Sequence, residues 1–77
     1  MKAIIKVTLR KGVLDPQGKA IEQALHHLGF GEADQVRQGK FIEMNVPEDT
    51  TKDKIADMCR QLLANPVTED FEIELVD

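Results

Sequence analysis

The side chains that could do chemistry are few and lie far apart in this sequence of 77 residues. His26 and His27 are adjacent, so in a helix they point about 100° apart and cannot hold one metal ion as an i, i+4 pair would. Cys59 falls on an apolar stripe, where a buried thiol is a small hydrophobe with a raised pKa. The sequence has no phosphate-binding glycine loop, Cys-x-x-Cys or Gly-x-Ser-x-Gly. We therefore predict no catalytic, cofactor-binding or metal-binding residue in this chain.

Composition and charge argue against several classes of protein. The net charge is −4 and the chain has no Trp and no Tyr, whereas nucleic-acid binding needs a basic face or stacking aromatics. One cysteine cannot form an internal disulfide, and no apolar run approaches the roughly twenty residues of a membrane span. We expect a cytoplasmic protein that contacts neither nucleic acid nor membrane. A single domain over residues 1–77 buries only about 60% of its unfolded surface, which favours oligomerisation.

The first half of the chain predicts a strand followed by a helix. Apolar residues alternate over Ala3–Leu9, as in a half-buried strand. Asp15 is placed to cap a helix with Pro16 at its first position, and Gly29 is placed to end that helix. The apolar stripe of this helix consists of Ala20, Ile21, Ala24, Leu25 and Leu28.

The second half predicts further strand structure and a second helix. Alternation returns over residues 33–46, as two short strands around a tight turn at residues 38–39 or as one long bent strand. Thr50 and Asp53 resemble a capping box ahead of the second helix, and the helix should end at residues 64–66, before a proline. Its stripe consists of Ile55, Met58, Cys59, Leu62 and Leu63.

A last alternation over residues 71–76 completes the order strand, helix, strand or strand pair, helix, strand. This order favours an α+β two-layer sandwich, an antiparallel sheet covered on one face by two helices, close to a ferredoxin-like fold. The open sheet face would carry many charged side chains together with Ile4, Phe41 and Val76. Cross-strand ion pairs explain the charges but not three apolar residues, so we predict that this face makes an oligomer contact.

Three irregular segments carry a resemblance to a known family. They are Gly12-Val13-Leu14-Asp15-Pro16-Gln17-Gly18, Val36-Arg37-Gln38-Gly39-Lys40 and Leu63-Ala64-Asn65-Pro66. In order and spacing they resemble the Gly-[Val/Ile]-Leu-Asp-Pro-x-Gly loop, the Val-Arg-x-Gly-Lys hairpin and the Leu-Ala-Asn-Pro helix end of PurS subunits of phosphoribosylformylglycinamidine (FGAM) synthase. The resemblance covers essentially the whole chain.

The resemblance implies a subunit of an ATP-dependent ligase complex that is not catalytic alone. In that family the glutaminase subunit PurQ releases ammonia, and the larger subunit PurL puts it onto formylglycinamide ribonucleotide in purine synthesis. PurS holds the two together and assists ammonia passage. The resemblance further implies a dimer or tetramer of an α+β unit, with no cofactor on this chain, because ATP and Mg are used by PurL.

Loop residues of these segments are the candidate contacts with PurL or PurQ, since loops on a rigid scaffold often carry binding function. They are Asp15, Pro16, Gly18, Arg37, Gly39, Lys40, Asn65 and Pro66. Asp15, Pro16 and the two glycines could equally serve only to shape turns and caps. Arg37 and Lys40 are the better contact candidates, because neither charge is needed to form a turn.

Two other classes of protein are compatible with the architecture. An ACT-like small-molecule-binding module shares the two layers and binds amino acids at dimer interfaces, but it gives no reason for the three motifs to occur together. An acylphosphatase-like hydrolase would need an anion cradle with a fixed arginine and a water-orienting amide, for which Arg10 and Asn45 are candidates. Asp15 would repel a phosphate in that loop.

Overall fold

Three strands form one antiparallel sheet in the computed structural model, which describes all 77 residues. They are β1 Lys2–Leu9, β2 Gly39–Asn45 and β3 Glu69–Val76. β1 lies in the centre, with β2 and β3 as the two edges. Two helices complete the chain: α1 Pro16–His27 and α2 Lys52–Met58, which continues as the π-helical segment Cys59–Leu63. The predicted α+β class, with an antiparallel sheet and two helices, is confirmed.

Helix α1 begins and ends where the sequence predicts. Asp15 is its N-cap, with one carboxylate oxygen accepting a hydrogen bond of 2.8 Å from the amide of Gly18. Pro16 occupies the first helical position, where no intrahelical amide hydrogen is needed. Gly29 follows with φ +99°, the left-handed conformation that closes many helices. Neither helix is long and apolar enough to cross a membrane.

Helix α2 begins one residue later than predicted. Its N-cap is Thr51, whose hydroxyl accepts a hydrogen bond of 3.2 Å from the amide of Lys54. The prediction of Thr50 as the cap was wrong, because the Thr50 amide closes a turn onto the carbonyl of Pro47 at 3.0 Å. The helical path ends as predicted at Ala64, which is extended and donates to the Cys59 carbonyl at 2.9 Å.

The segment before β2 is not a strand, so the predicted hairpin at residues 38–39 was wrong. The amide of Val36 donates to the carboxylate of Glu22 at 3.1 Å, and the amide of Gln38 donates to the carboxylate of Asp15 at 3.0 Å. Because side chains of α1 and its cap occupy these backbone donors, no neighbouring strand pairs with them. β2 is therefore a single strand that begins at Gly39.

The core lies between one sheet face and α2. Ala3, Ile5 and Val7 of β1 are fully buried there, as are Ile55 and Cys59. Burial raises the pKa of the Cys59 thiol above its ordinary value. The predicted role of Cys59 as a small core residue is therefore confirmed.

Helix α1 does not pack on this core within one chain. Its only buried residue is Gly18, while Ile21 and Leu28 of its apolar stripe are 43% and 73% exposed. The radius of gyration is 15.5 Å, whereas a compact domain of this length has about 11.5 Å. Within one chain, α2 alone covers the sheet face that both helices were expected to cover.

Candidate functional site

The side chain of Asp15 joins two of the three motif segments. One carboxylate oxygen accepts from the amide of Gly18 at 2.8 Å and the other from the amide of Gln38 at 3.0 Å. These backbone hydrogen bonds, Gly18 first, hold the pKa of Asp15 below its ordinary value, and the charge of Arg37 acts in the same direction. We call this arrangement the Asp15 clip. It ties the loop before α1 to the segment before β2.

Gly18 leaves room for the clip. A Cβ atom at this position would lie 2.5 Å from the Asp15 carboxylate and 2.6 Å from the carbonyl oxygen of Val36, so something would have to shift. Asp15 and Gly18 thus have defined structural roles, which is the alternative that the sequence left open for them. Whether they also contact a partner stays a prediction.

Replacing Asp15 by asparagine should lower stability at neutral pH, because the two amides lose a charged acceptor. A carboxylate whose pKa is depressed on folding stabilises the protein above its unfolded pKa, near the ordinary 3.8, and that contribution is lost as pH falls through the folded value. The free energy of unfolding, measured by urea denaturation, should therefore be lower for Asp15→Asn than for wild type at pH 7. The two values should converge as pH falls below 4. Asp49→Asn, at an exposed position, is the control. A difference in the free energy of unfolding between Asp15→Asn and wild type that persists unchanged in acid would contradict the clip.

Arg37 and Lys40 both have partners inside the chain. The guanidinium of Arg37 donates to the carbonyl of Leu9. The ammonium of Lys40 donates to the carbonyl of Leu63 at 3.0 Å, at the end of the π-helical segment, and lies 3.9 Å from the Glu69 carboxylate. Folding therefore uses both charges, which removes the argument that favoured these two residues because a turn needs neither charge. Their contact with a partner remains a prediction, without that argument behind it.

The third motif is fastened to the same end of the sheet. The side-chain oxygen of Asn65 accepts a hydrogen bond of 3.0 Å from the backbone amide of Val67. The backbone amide of Asn65 donates to the Glu69 carboxylate at 2.7 Å. The carbonyl of Pro66 accepts from Arg10 at 2.6 Å. Together with the Asp15 clip, these bonds bring all three motif segments to the end of the sheet where β1 finishes.

The arrangement does not support a hydrolase that uses Arg10 and Asn45. Asn45 pairs with Lys2 at the start of β1, whereas Arg10 follows the last residue of that strand. Arg10 lies eight positions along the extended chain from Lys2, a distance of roughly 25 Å. The guanidinium of Arg10 is also occupied by the Pro66 carbonyl and, at 3.3 Å, by Asp70. The two side chains cannot act on one substrate.

Ile4, Phe41 and Val76 share the open sheet face, as their alternation predicted. Ile4 lies between Glu43 and Glu74 of the neighbouring strands. Phe41 and Val76 flank it diagonally on opposite sides and are 59% and 38% exposed. The three side chains form an apolar diagonal across a charged surface. Their role in an oligomer contact stays a prediction.

Comparison with known proteins agrees with this arrangement. The profile of the family PurS, phosphoribosylformylglycinamidine (FGAM) synthase, matches residues 2–77. The PurS subunit of Methanocaldococcus jannaschii is 40% identical, over 96% of this chain and 93% of that protein. Bacillus subtilis PurS superposes with a TM-score of 0.89 at 40% identity, covering 99% of this chain and 98% of that one.

A second solved structure extends the comparison to a multi-subunit assembly. A chain of the PurLQS structure from Thermotoga maritima superposes with a TM-score of 0.82 at 34% identity, covering 97% of this chain and 95% of that one. The matches span the whole fold, including the three motif segments at the end of the sheet. The chain therefore belongs to the PurS family, the PurS subunits of phosphoribosylformylglycinamidine synthase, and has its function in purine biosynthesis.

Proposed function

We propose that this chain joins the glutaminase PurQ to the ATP-dependent synthetase PurL and assists the passage of ammonia between them. The observation that supports it is the full-length likeness to a chain of the Thermotoga maritima PurLQS structure. In this role the chain is not catalytic alone and binds no cofactor, and ATP and Mg are used by PurL. The free, buried thiol of Cys59 fits a cytoplasmic setting, where thiols stay reduced.

The chemistry of ammonia explains why such a subunit is needed. In neutral water free ammonia is mostly protonated, and ammonium is not a nucleophile. Transfer between two active sites therefore needs a route closed to bulk solvent. A small rigid protein can close that route without taking part in a reaction. The hydrogen bonds that join the three motif segments give this chain one rigid, ordered end for such a contact.

The chain should also bind a second copy of itself, and the exposed stripe of α1 is the surface that we assign to this contact. The accessible surface of one chain is 5737 Å², whereas a compact monomer of this mass exposes about 4,700 Å². The excess of about 1,000 Å² is comparable to the roughly 800 Å² that each partner buries in a standard interface. The open sheet face around Ile4, Phe41 and Val76 offers a second contact, which would turn dimers into a tetramer.

Reconstitution tests the joining role directly. PurL and PurQ purified without this chain should make FGAM from ammonium salts at nearly the full rate, because that substrate arrives from solution. Glutamine-driven synthesis should be about tenfold slower or worse until the chain is added, because ammonia released by PurQ escapes to solvent. Both rates are measured on the same preparation.

Two outcomes would count against the proposal. Equal rates with and without the chain, for both nitrogen sources, would mean that it does not couple the two sites. An affinity pull-down that recovers a single amino-acid-metabolising enzyme, in place of PurL and PurQ, would favour the ACT-like regulatory module.

A further inference from the structure

A basic surface lies where the turn after β1 meets the segment before β2. An open cavity of about 320 Å³ is lined there by Arg10, Lys11, Gly12, Val13, Gln35 and Arg37. No acidic residue lines this cavity, although the chain has 14 acidic and 10 basic residues. Its three cations outnumber the carboxylates beside them, Asp70 at Arg10 and Asp15 near Arg37, so the surface carries positive charge on a protein whose net charge is −4.

The turn presents Lys11 to solvent. The amide of Val13 donates to the carbonyl of Arg10 at 3.1 Å, and Gly12 has φ +86°. A positive φ at the third residue alone defines a type II turn, with Lys11 as the second residue at its tip. Lys11 is exposed and takes part in none of the ion pairs or side-chain hydrogen bonds of the chain. Its charge has no role in holding the fold together.

Both arginines make hydrogen bonds within the chain but keep free N–H donors. Arg10 donates to the Pro66 carbonyl and pairs with Asp70 at 3.3 Å, and Arg37 donates to the Leu9 carbonyl. A guanidinium carries five N–H donors, so each arginine keeps donors free for another acceptor. Because the backbone around Arg37 is fixed by the Asp15 clip, ordering this surface costs little on binding.

We propose that Arg10, Lys11 and Arg37 form a docking site for carboxylate side chains on the PurL–PurQ pair. Guanidinium groups bind carboxylates through paired, charge-assisted hydrogen bonds, and a basic patch on an acidic chain steers an acidic surface towards this end of the sheet. The three cations lie on two segments of the chain around one open cavity of about 320 Å³, which leaves room for several carboxylates. The proposal rests on the proposed joining function. It keeps Arg37 as a contact residue, adds Arg10 and Lys11, and leaves out Lys40.

Lys11→Glu is the variant that tests this surface, because Lys11 has no partner whose loss would disturb the fold. Lys54→Glu is the matched control, since it makes the same charge change at an exposed position near the start of α2, and α2 follows the end of β2, where Asn45 pairs with Lys2. Binding of each folded variant to the PurL–PurQ pair is measured by titration at low and high salt. Lys11→Glu should weaken binding by about tenfold or more and reduce the dependence on salt. Lys54→Glu should bind within about twofold of wild type.

The outcomes separate this inference from the function on which it rests. If wild type binds the pair but Lys11→Glu and Lys54→Glu bind equally well, the docking site is overturned and the joining role stands. If wild type does not bind the pair at all, the joining role itself is overturned. A third outcome is that the isolated wild-type chain binds inorganic phosphate, and that Lys11→Glu loses this phosphate binding but still assembles normally with the pair. The surface would then be a small-anion site, and the proposal would be overturned.

Discussion

The double substitution Ile21→Asp with Leu28→Asp is expected to leave the protein monomeric at concentrations where wild type is at least a dimer. Both residues lie on the exposed stripe of α1 and are 43% and 73% exposed in one chain. If a second copy covers them, the two new carboxylates would be buried without partners. That should cost roughly 5 kcal/mol or more, which is at least about a thousandfold in the dissociation constant.

Light scattering at micromolar concentration measures the outcome, with circular dichroism to show that the variant is folded. The control is Gln23→Asp with His27→Asp, which puts the same charges on the polar side of the same helix, about 100° or more around the axis from Ile21 and Leu28, and should leave the oligomer intact. A stable wild-type monomer would contradict self-association altogether. An unchanged oligomer in the stripe variant would move the contact to the open sheet face around Phe41.

The local parts of the fold could be predicted because they depend on neighbouring residues. An aspartate followed by a proline starts a helix and a glycine ends it, and all three act in this way at α1. Apolar alternation placed Ala3, Ile5 and Val7 on the buried face. Each of these inferences needs only a few consecutive residues, so each could be made from the sequence.

Parts that depend on distant residues could not be predicted. The second oxygen of Asp15 binds the amide of Gln38, 23 positions along the chain, and this bond replaces the strand pairing expected before β2. Likewise, an amphipathic stripe indicates that α1 packs against an apolar surface. It does not indicate whether that surface belongs to the same chain or to another one. Only the structure shows that β2 and β3 are edge strands and that the apolar stripe of α1 is uncovered within one chain.

The candidate contact residues show the same limit. The sequence favours Arg37 and Lys40 as contacts because a turn does not need their charges, yet in the structure each is bonded to a backbone carbonyl far along the chain. Lys11 directly precedes the first irregular segment and is not among the contacts predicted from the sequence. A signal was present, since Arg10 and Lys11 are adjacent basic residues in an acidic chain, but their meeting with Arg37 requires the tertiary structure.

Gly18→Ala is expected to destabilise the protein by about 0.5–4 kcal/mol, since overpacking costs about 1–3 kcal/mol and a lost cap about 0.5–2 kcal/mol, against about 1 kcal/mol gained in helix propensity. Helix propensity alone predicts the opposite sign, because alanine in a helix is favoured over glycine by about 1 kcal/mol. The new Cβ would lie 2.5 Å from the Asp15 carboxylate and 2.6 Å from the Val36 carbonyl oxygen, so either the cap or the loop must move. The sign of the change therefore decides between the two arguments.

Urea denaturation gives the free energy of unfolding for Gly18→Ala beside Gly31→Ala, where a Cβ meets nothing within 4 Å and the change should be nearly neutral. Adding Asp15→Ala tests the cause. It removes the closest atom of the clash but leaves the Val36 carbonyl, so Gly18→Ala should cost less in that background than in wild type. If Gly18→Ala stabilised the protein, or cost the same in both backgrounds, the close approach of Gly18 to Asp15 would not be the constraint that fixes this loop.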